Sequence, residues 1–297
     1  MRQLSFFLID VFAREPLAGN PLALVPDADG LDDETMRRLG REFNQSETTF
    51  VLEPTRPDAD WRLRFFTPTG VEVFGAGHNA LGAWWWLAAS GRLKLDGAST
   101  SFAQQIGDRV LPVEIRSTAG RVAAVGMTQA PPSFGAVHDD RAALAAALGI
   151  HEDDLAAGTL VPQVVSTGAA HLLVPLRDRA AVARVRPDLE ALLKVTRAVT
   201  DQGCYVFSLD PVDAAATAHA RFFNPSIGIA EDPATGTAAG PLGCYLVARG
   251  VVADGATMIV EQGYTMDRPS RIDVLVRGDL VRVSGPAVVV AEGTLRC

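Results

Sequence analysis

Short apolar runs alternate with turn residues through the first part of the chain. The runs are rich in β-branched and aromatic side chains and are bounded by Pro, Gly and polar residues, which is typical of strands. The pattern predicts strands at residues 6–12, 22–26, 48–53 and 62–66.

Two kinds of helix are predicted. Asp32 can cap a helix in which apolar residues recur at helical spacing from Met36 to Phe43, with arginines on the other faces. That helix is amphipathic and peripheral. Residues 78–90 and 237–248 are apolar nearly all round, which is typical of buried helices.

The two halves of the chain repeat one another. Residues 19–26 resemble 168–175, and Arg64-Phe65-Phe66 resembles Arg221-Phe222-Phe223. The order of the matches is preserved while their spacing grows slowly, as small loop insertions in a duplicated unit would cause. Further matches follow in the same order: Glu72, Gly77, Trp86, Leu87 and Gly91 with Glu231, Gly236, Tyr245, Leu246 and Gly250.

The fold class predicted from this repeat is α+β, with two pseudo-symmetric lobes. Each lobe is a curved β-sheet or barrel wrapped around a central apolar helix. The lobes are placed at 1–118 and 119–297, with the boundary between 118 and 135, close to the Pro-rich stretch 130–133. The sequence alone does not assign the last strand to either lobe, and its return to the first lobe is one of the two possibilities.

Composition narrows the function classes. The 297 residues are 48% hydrophobic, enough for a sizeable core. The formal charge is −8, without a Lys/Arg cluster, so we expect no nucleic-acid partner. Asp10 interrupts the apolar amino-terminal stretch, and the apolar block near residues 81–89 is too short for a bilayer. We therefore expect neither a signal peptide nor a membrane partner.

The cysteines point to a reducing compartment. Cys204, Cys244 and Cys297 are odd in number and widely spaced, which argues against a disulfide framework or a zinc site. We expect a cytoplasmic protein without a metal.

Candidate chemistry lies where the two buried helices begin. Gly75 and Gly77 open the first helix, and Gly236 opens the second. A helix amino terminus offers unpaired N–H donors and the positive end of the dipole, and glycine allows close approach, so each start is a ready anion site. We predict that both face one interdomain cleft, with His78 and Asp232 around one small anionic molecule.

The same residues also have purely structural interpretations. Asp232 before Pro233 suits a turn or helix cap, and His78 suits a helix start. Glu47 could be a solvated charge between a helix and a strand. The run of tryptophans at 84–86 favours core packing, and Glu72 and Glu231 favour bracing of loops.

Several short motifs follow one another along most of the chain: Asp10-Val11-Phe12, Gly19-Asn20-Pro21-Leu22-Ala23, Ser46-Glu47-Thr48, Phe66-Thr67-Pro68, Gly77-His78, Ser166-Thr167-Gly168, Glu231-Asp232-Pro233-Ala234-Thr235-Gly236 and Gln262-Gly263. Together they resemble the PhzF-type isomerase-like proteins named for phenazine biosynthesis, which share the diaminopimelate epimerase fold. The resemblance implies Glu47 as the acid/base, His78 and Asp232 lining the site, a hydroxyl at Thr237, and a homodimer. We therefore predict Glu47, His78 and Asp232 as catalytic residues. The predicted substrate-binding residues are Asn20, Gly77, Asn79, Gly236 and Thr237.

The chain departs from the family pattern in two places. Thr237 stands where serine is frequent, and Asn79 follows His78 where Pro or Ala is commoner. The catalytic cysteines of the epimerase relatives would fall at Ala76 and Thr235, so a two-thiol racemase is disfavoured.

These residues suit a cofactor-independent isomerase of a small unsaturated or cyclic carboxylic acid. Glu47 can remove a proton and return it to another carbon, while the amides at the helix starts hold the developing negative charge. No cofactor is required. Two alternatives stay open: an epimerase or racemase on an amino or hydroxy acid that uses Glu47 and Asp232, and a catalytically silent carboxylate-binding protein.

Overall fold

A computed structural model describes residues 2–200 and 202–297. The chain divides into two compact units. Unit 1 contains the residues up to Thr128 together with Ser284–Cys297, and unit 2 is Gln129–Val283. The first unit therefore extends beyond residue 118, and the last strand belongs to it.

Unit 1 surrounds the first apolar helix with strands. Its helices and strands are β1 (Gln3–Val11), β2 (Asn20–Val25), α1 (Asp33–Phe43), β3 (Thr48–Leu52), β4 (Trp61–Phe66), β5 (Glu72–Val73), α2 (His78–Ala89), β6 (Ser99–Ile106), β7 (Arg109–Thr118) and β8 (Arg121–Gln129), with the carboxyl-terminal strand Ala287–Arg296. β1 lies antiparallel to both β2 and the carboxyl-terminal strand. β2 and β3 are parallel, as are β4 and β6.

Helix α2 is the core of unit 1. It packs against β1, β2 and β3, and Trp84 is fully buried. The indole N–H of Trp84 donates to Gln104 Oε1 at 3.0 Å, which satisfies the polar atom of a buried ring. On the other sheet face, Asp32 caps α1 by accepting the Thr35 N–H at 2.8 Å. Both helices agree with the sequence prediction.

Unit 2 repeats this pattern of pairing. Its helices and strands are β9 (Ser133–Val137), α3 (Arg141–Leu148), β10 (Gln163–Ser166), β11 (Ala170–Pro175), α4 (Arg179–Arg184), α5 (Leu189–Arg197), β12 (Cys204–Ser208), β13 (Ala218–Asn224), β14 (Ile229–Asp232), α6 (Gly236–Ala248), β15 (Thr257–Gln262), β16 (Ser270–Arg277) and β17 (Leu280–Gly285). The carboxyl-terminal strand of unit 1 is thus β18. β11 and β12 are parallel, β12 and β13 antiparallel, and β13 and β15 parallel, in the same order as β2, β3, β4 and β6.

Helices α3, α4 and α5 were not predicted from the sequence. Asp140, Asp178 and Asp188 cap them by accepting amide hydrogens of the first turn. Their apolar residues, such as Leu144 and Leu192, form a second core against the sheet of unit 2. The capping aspartates could have predicted where these helices begin, because Asp at an N-cap satisfies otherwise unpaired amides. Within the described residues, every helix is too short or too polar to traverse a bilayer.

The repeated arginine and glutamate form one salt bridge in each unit. Arg64 Nε donates to Glu72 Oε1 at 2.7 Å, and Arg221 Nε donates to Glu231 Oε1 at 2.8 Å. In both pairs the second guanidinium nitrogen bonds the other carboxylate oxygen. Such bidentate pairs fix geometry, so the structural interpretation of Glu72 and Glu231 as loop braces is confirmed.

His171 is a buried polar side chain of unit 2 whose ring has no hydrogen-bond partner among the described residues. His171 in β11 matches Leu22 in the sequence repeat and is fully buried. Neither of its ring nitrogens meets a partner within residues 2–200 and 202–297, and the ring packs edge-on against Phe222 at 5.1 Å. Burial lowers the pKa of His171 to about 4.

We predict that His171→Leu stabilises the protein, increasingly so as the pH falls. An ordinary histidine titrates near pH 6.5, so between pH 6.5 and 4 the unfolded chain binds a proton that folded His171 refuses. Leucine removes this loss of stability, worth about 2 kcal/mol at pH 5. Denaturant unfolding at pH 7 and pH 5 checks it. Equal destabilisation at both pH values would show that the ring stabilises the native state.

Candidate active site

The strand and helix starts of unit 1 bring together Asn20, Ser46, Glu47, His78 and Asn79, which we call the unit 1 group. Asn20 begins β2, Glu47 directly precedes β3, and His78 begins α2. Because β2 and β3 are parallel, their amino ends lie at the same edge of the sheet. The three predicted residues Asn20, Glu47 and His78 thus belong to one sheet edge and the helix that packs on it.

Ser46 connects the members of the unit 1 group. Its hydroxyl lies 3.2 Å from His78 Nε2 and 3.4 Å from Asn20 Oδ1. Burial lowers the pKa of His78 to about 4. At neutral pH, His78 is therefore an uncharged hydrogen-bonding group next to the serine that precedes Glu47.

Asn79 holds the loop that begins α2. Its Oδ1 accepts the N–H groups of Gly77 at 2.7 Å and Ala80 at 2.8 Å, and its Nδ2 donates to Gly75 O at 3.0 Å. The Gly77 amide and the Asn79 side chain, both predicted to bind substrate, are thus engaged within the loop. The backbone N–H groups of His78 and Asn79 find no acceptor among the described residues. These two amides are the donors that this helix start offers.

The second group lies in unit 2 and comprises Asp232, Thr235, Gly236, Thr237 and Gln262, which we call the unit 2 group. Asp232 ends β14 and is buried. The Thr235 hydroxyl donates to Asp232 Oδ2. Gln262, at the end of β15, donates from Nε2 to Asp232 O at 2.6 Å and to Thr235 Oγ1 at 3.0 Å. The carboxylate is held by a connected set of polar groups.

The start of α6 keeps unpaired donors beside this carboxylate. Ala238 and Ala239 donate their N–H groups to Thr235 O at 3.1 and 3.0 Å. The N–H groups of Gly236 and Thr237 have no acceptor in the part of the chain that the structure describes. Together with the helix dipole, these two amides favour a negatively charged group.

Ser46, Thr235 and Gln262 were not predicted as site residues. All three belong to the family-like motifs, but the side chains of serine, threonine and glutamine do not act as general acids or bases at neutral pH. Two of them could have been identified by their position next to a predicted site residue, because Ser46 precedes Glu47 and Thr235 precedes Gly236. The structure shows that each bonds a residue that was selected.

The buried cysteines offer no acid/base alternative. Burial raises the pKa of the Cys204 thiol to about 12 and that of Cys244 to about 11. Both thiols stay protonated at neutral pH, so neither behaves as a reactive thiolate. Among residues 2–200 and 202–297, no group of three or more His, Cys, Asp or Glu side chains is placed to hold a metal ion.

Similarity to known proteins covers nearly the whole chain. A trans-2,3-dihydro-3-hydroxyanthranilate isomerase of Pseudomonas aeruginosa is 36% identical over an alignment of 296 residues that covers 97% of this chain and 98% of that protein. The crystal structure of a PhzF-family phenazine biosynthesis protein of Bacillus anthracis matches with a TM-score of 0.90 and 30% identity, over 100% of both chains. A hydroxyproline epimerase of Agrobacterium vitis matches with a TM-score of 0.66 at 13% identity, over 99% of this chain and 91% of that one, and shares the fold alone.

These matches confirm the predicted α+β, diaminopimelate epimerase-like fold and the class of enzyme. Two relatives that cover 99% and 97% of this chain are named as isomerases. The phenazine biosynthesis-like family itself matches residues 9–293. The chain is therefore an isomerase that belongs to the phenazine biosynthesis-like protein family.

Proposed function

We propose that the protein is a cofactor-independent isomerase that moves a proton on a small unsaturated or cyclic carboxylic acid, with Glu47 as its single general acid/base. The observation that carries this proposal is an asymmetry between the units. Glu47 has no counterpart in unit 2, because the equivalent position holds Gly203.

The equivalence follows from strand register. β3 begins at Thr48 and β12 begins at Cys204, and each first residue pairs with the last phenylalanine of the repeated Arg-Phe-Phe string. The residue before each strand is Glu47 in unit 1 and Gly203 in unit 2. The duplicated fold therefore presents one carboxylate at this position instead of two.

Packing excludes a second base at position 203. A Cβ on Gly203 would lie 2.6 Å from a ring carbon of Phe222 and 2.7 Å from the carbonyl oxygen of Phe223. Contacts this short force a buried ring and the backbone to move. A racemase with equivalent bases in both halves has no room for the second one, which favours proton movement by one base on one face.

The proposed reaction needs no oxidant or reductant. The Glu47 carboxylate takes a proton from a saturated carbon, and the electron pair left on that carbon enters the conjugated system that ends at the substrate carboxylate. Amides at the helix starts and the neutral His78 stabilise the developing negative charge. Protonated Glu47 then delivers the proton to another carbon of the same system. We propose that Asp232 and the α6 amides take part in this reaction by binding and orienting the substrate.

The substrate class is proposed from the relative's name. An anthranilate carries a carboxylate on a ring, and the dihydro form retains saturated carbons with removable protons. The isomerase of Pseudomonas aeruginosa is named for this compound, trans-2,3-dihydro-3-hydroxyanthranilate. A carboxylate on a partly saturated ring meets both requirements of the mechanism above.

Incubation with trans-2,3-dihydro-3-hydroxyanthranilate and other ring carboxylates, followed by proton NMR, tests the proposed activity. Accumulation of a double-bond isomer supports it. Inversion of configuration without movement of the double bond would favour the epimerase that uses Glu47 and Asp232. Measurable binding without any reaction across the panel would favour the silent carboxylate-binding protein.

We predict that a small carboxylate binds at the helix starts. Titration with benzoate should shift the backbone amide NMR signals of His78, Asn79, Gly236 and Thr237, because their N–H groups have no acceptor among the described residues. Benzamide, which has the same ring without the charge, is the matched control and should shift them far less. Benzoate shifts confined to other amides would contradict the assignment.

A further inference from the structure

Gln262 is a buried glutamine whose side chain is fully hydrogen-bonded. Its Nε2 donates to Asp232 O at 2.6 Å and to Thr235 Oγ1 at 3.0 Å. Its Oε1 accepts the Thr235 N–H at 3.1 Å and the Tyr205 hydroxyl at 2.9 Å. Two donors and two acceptor positions are thus all used, which fixes the amide in one orientation.

This orientation determines where the Thr235 hydroxyl points. Because Gln262 Nε2 donates to Thr235 Oγ1, that oxygen is the acceptor of this bond and its own proton is directed elsewhere. The proton goes to Asp232 Oδ2, to which Thr235 donates. One oxygen of the Asp232 carboxylate is therefore held by a hydroxyl whose direction Gln262 sets.

Tyr205 fixes the other end of the same network. Its hydroxyl is buried, and burial together with the negative charge of Asp232 raises the pKa of Tyr205. The phenol therefore stays protonated and donates to Gln262 Oε1. The two ends of the Gln262 amide are identified by groups with a single role: the Thr235 N–H can only donate to Oε1, and the Asp232 carbonyl oxygen can only accept from Nε2.

A comparison of the two units separates residues that brace the fold from residues that occur in unit 2 alone. Gln105 in unit 1 accepts the backbone N–H groups of residues 55 and 56, at 2.9 and 3.3 Å. Glu261 in unit 2 accepts those of residues 212 and 213, both at 2.8 Å. Both acceptors lie on strands that pair in parallel with the corresponding β4 and β13. Gln105 and Glu261 are therefore equivalent and brace the same loop in each unit.

The residue that follows this pair is apolar in unit 1 and polar in unit 2. Ile106 follows Gln105, and Gln262 follows Glu261. Ile106 is fully buried and apolar. The fold therefore accepts an aliphatic side chain at this position, and a buried glutamine in unit 2 needs another reason because it must be fully bonded to be tolerated.

We propose that Gln262, oriented by Tyr205, is a positioning residue that aims the Asp232 carboxylate by setting the direction of the Thr235 hydroxyl. The role of that carboxylate in catalysis rests on the function proposed above, whereas the network itself does not. Gln262 acts on Asp232 through Thr235, and its own amide is fully occupied by bonds within the protein.

Carbon NMR of protein labelled at the aspartate carboxyl carbons tests the proposal, with the Asp232 signal assigned by its absence in Asp232→Asn. In Gln262→Leu, the Thr235 hydroxyl is no longer held towards Asp232, and the bond that stabilises the charged carboxylate weakens. The Asp232 pKa should rise by about 0.5 to 1 unit relative to the wild type. Tyr205→Phe leaves the packing in place and should raise the Asp232 pKa by a smaller amount. This second variant keeps the test valid if Gln262→Leu does not fold.

Two further variants separate positioning from stability. Ser270→Ala removes a hydroxyl that bonds the backbone oxygens of Pro233 and Gln262, both at 3.1 Å, and should lower the melting temperature without moving the Asp232 titration. In Thr235→Val, the Asp232 pKa should rise, and adding Gln262→Leu should raise it no further. Unchanged titration in both Gln262→Leu and Tyr205→Phe, or a full additional shift in the double variant, would overturn the proposal.

Failure of the proposed function gives a different result. If the wild type isomerises no ring carboxylate, the activity proposal fails, and the Asp232 titration still decides whether Gln262 positions it. If the wild type is active and Asp232 titrates identically in all variants, the activity stands and the positioning role is overturned.

Discussion

Replacement of Glu47 by glutamine should abolish proton transfer while preserving the fold. The amide keeps the shape of the side chain next to Ser46 but cannot take up a proton from carbon at neutral pH. General acid/base groups contribute about 10² to 10⁴ in rate, so we expect turnover of a ring carboxylate to fall by at least about 100-fold. Deuterium incorporation from D₂O, followed by mass spectrometry, measures the loss.

Binding should survive this change. Because the amides at the helix starts are untouched, Glu47→Gln should bind benzoate with close to wild-type affinity. The benzoate affinity of Glu47→Gln is compared with that of Asp232→Asn, which alters the carboxylate of the unit 2 group instead. Equal deuterium exchange by the wild type and Glu47→Gln would remove Glu47 from the mechanism and make Asp232 and His78 the next candidates.

Replacement of Arg221 by methionine should strongly destabilise the protein. The guanidinium is buried, bonds both carboxylate oxygens of Glu231 at 2.8 Å, and donates to the backbone oxygens of Val182 and Val185. Removing one partner of a buried pair leaves an uncompensated charge, so we expect a loss of about 3 to 5 kcal/mol in the free energy of unfolding. Denaturant unfolding measures it.

The repeat provides a matched control for this effect. Arg64 makes the same bidentate pair with Glu72 at 2.7 Å, but its other partner, Asp33, is exposed to solvent. Arg64→Met should therefore cost less, about 1 to 2 kcal/mol, because solvent compensates part of the lost pairing. Equal losses in Arg64→Met and Arg221→Met would show that burial of the Arg221 pair does not set its energy.

The duplicated architecture was predictable because the two halves share a sequence repeat and because each half contains a helix that is apolar on all sides. The apolar helices begin at His78 and Gly236, within one residue of the prediction, since segments that are apolar on all sides have to be buried. Glu72 and Glu231 were interpreted as braces because they occupy equivalent positions of the repeat, and the structure pairs each with the equivalent arginine. The small helices α3 to α5 were not predicted because each spans nine residues or fewer, too few turns for a helical repeat to stand out from the sequence.

The site was predictable in its charged groups and less so in its neutral ones. Glu47, His78 and Asp232 stand out as residue types that carry chemistry. The hydrogen bonds of Asn79 with its own loop could not be predicted, because its Oδ1 and Nδ2 suit a ligand equally well. The role of Gln262 depends on a strand far along the chain from Asp232, and only the folded structure brings them together.

The central claim is that one base, Glu47, moves the proton, and the configuration of recovered substrate tests it most directly. The wild type is incubated with trans-2,3-dihydro-3-hydroxyanthranilate in D₂O to partial conversion, and both substrate and product are analysed by NMR. A single base acting on one face predicts an isomerised product with hydrogen or deuterium added at one new position, and recovered substrate of unchanged configuration. Recovered substrate that is inverted and carries deuterium at the inverted carbon would contradict the account, because it requires a second base on the opposite face.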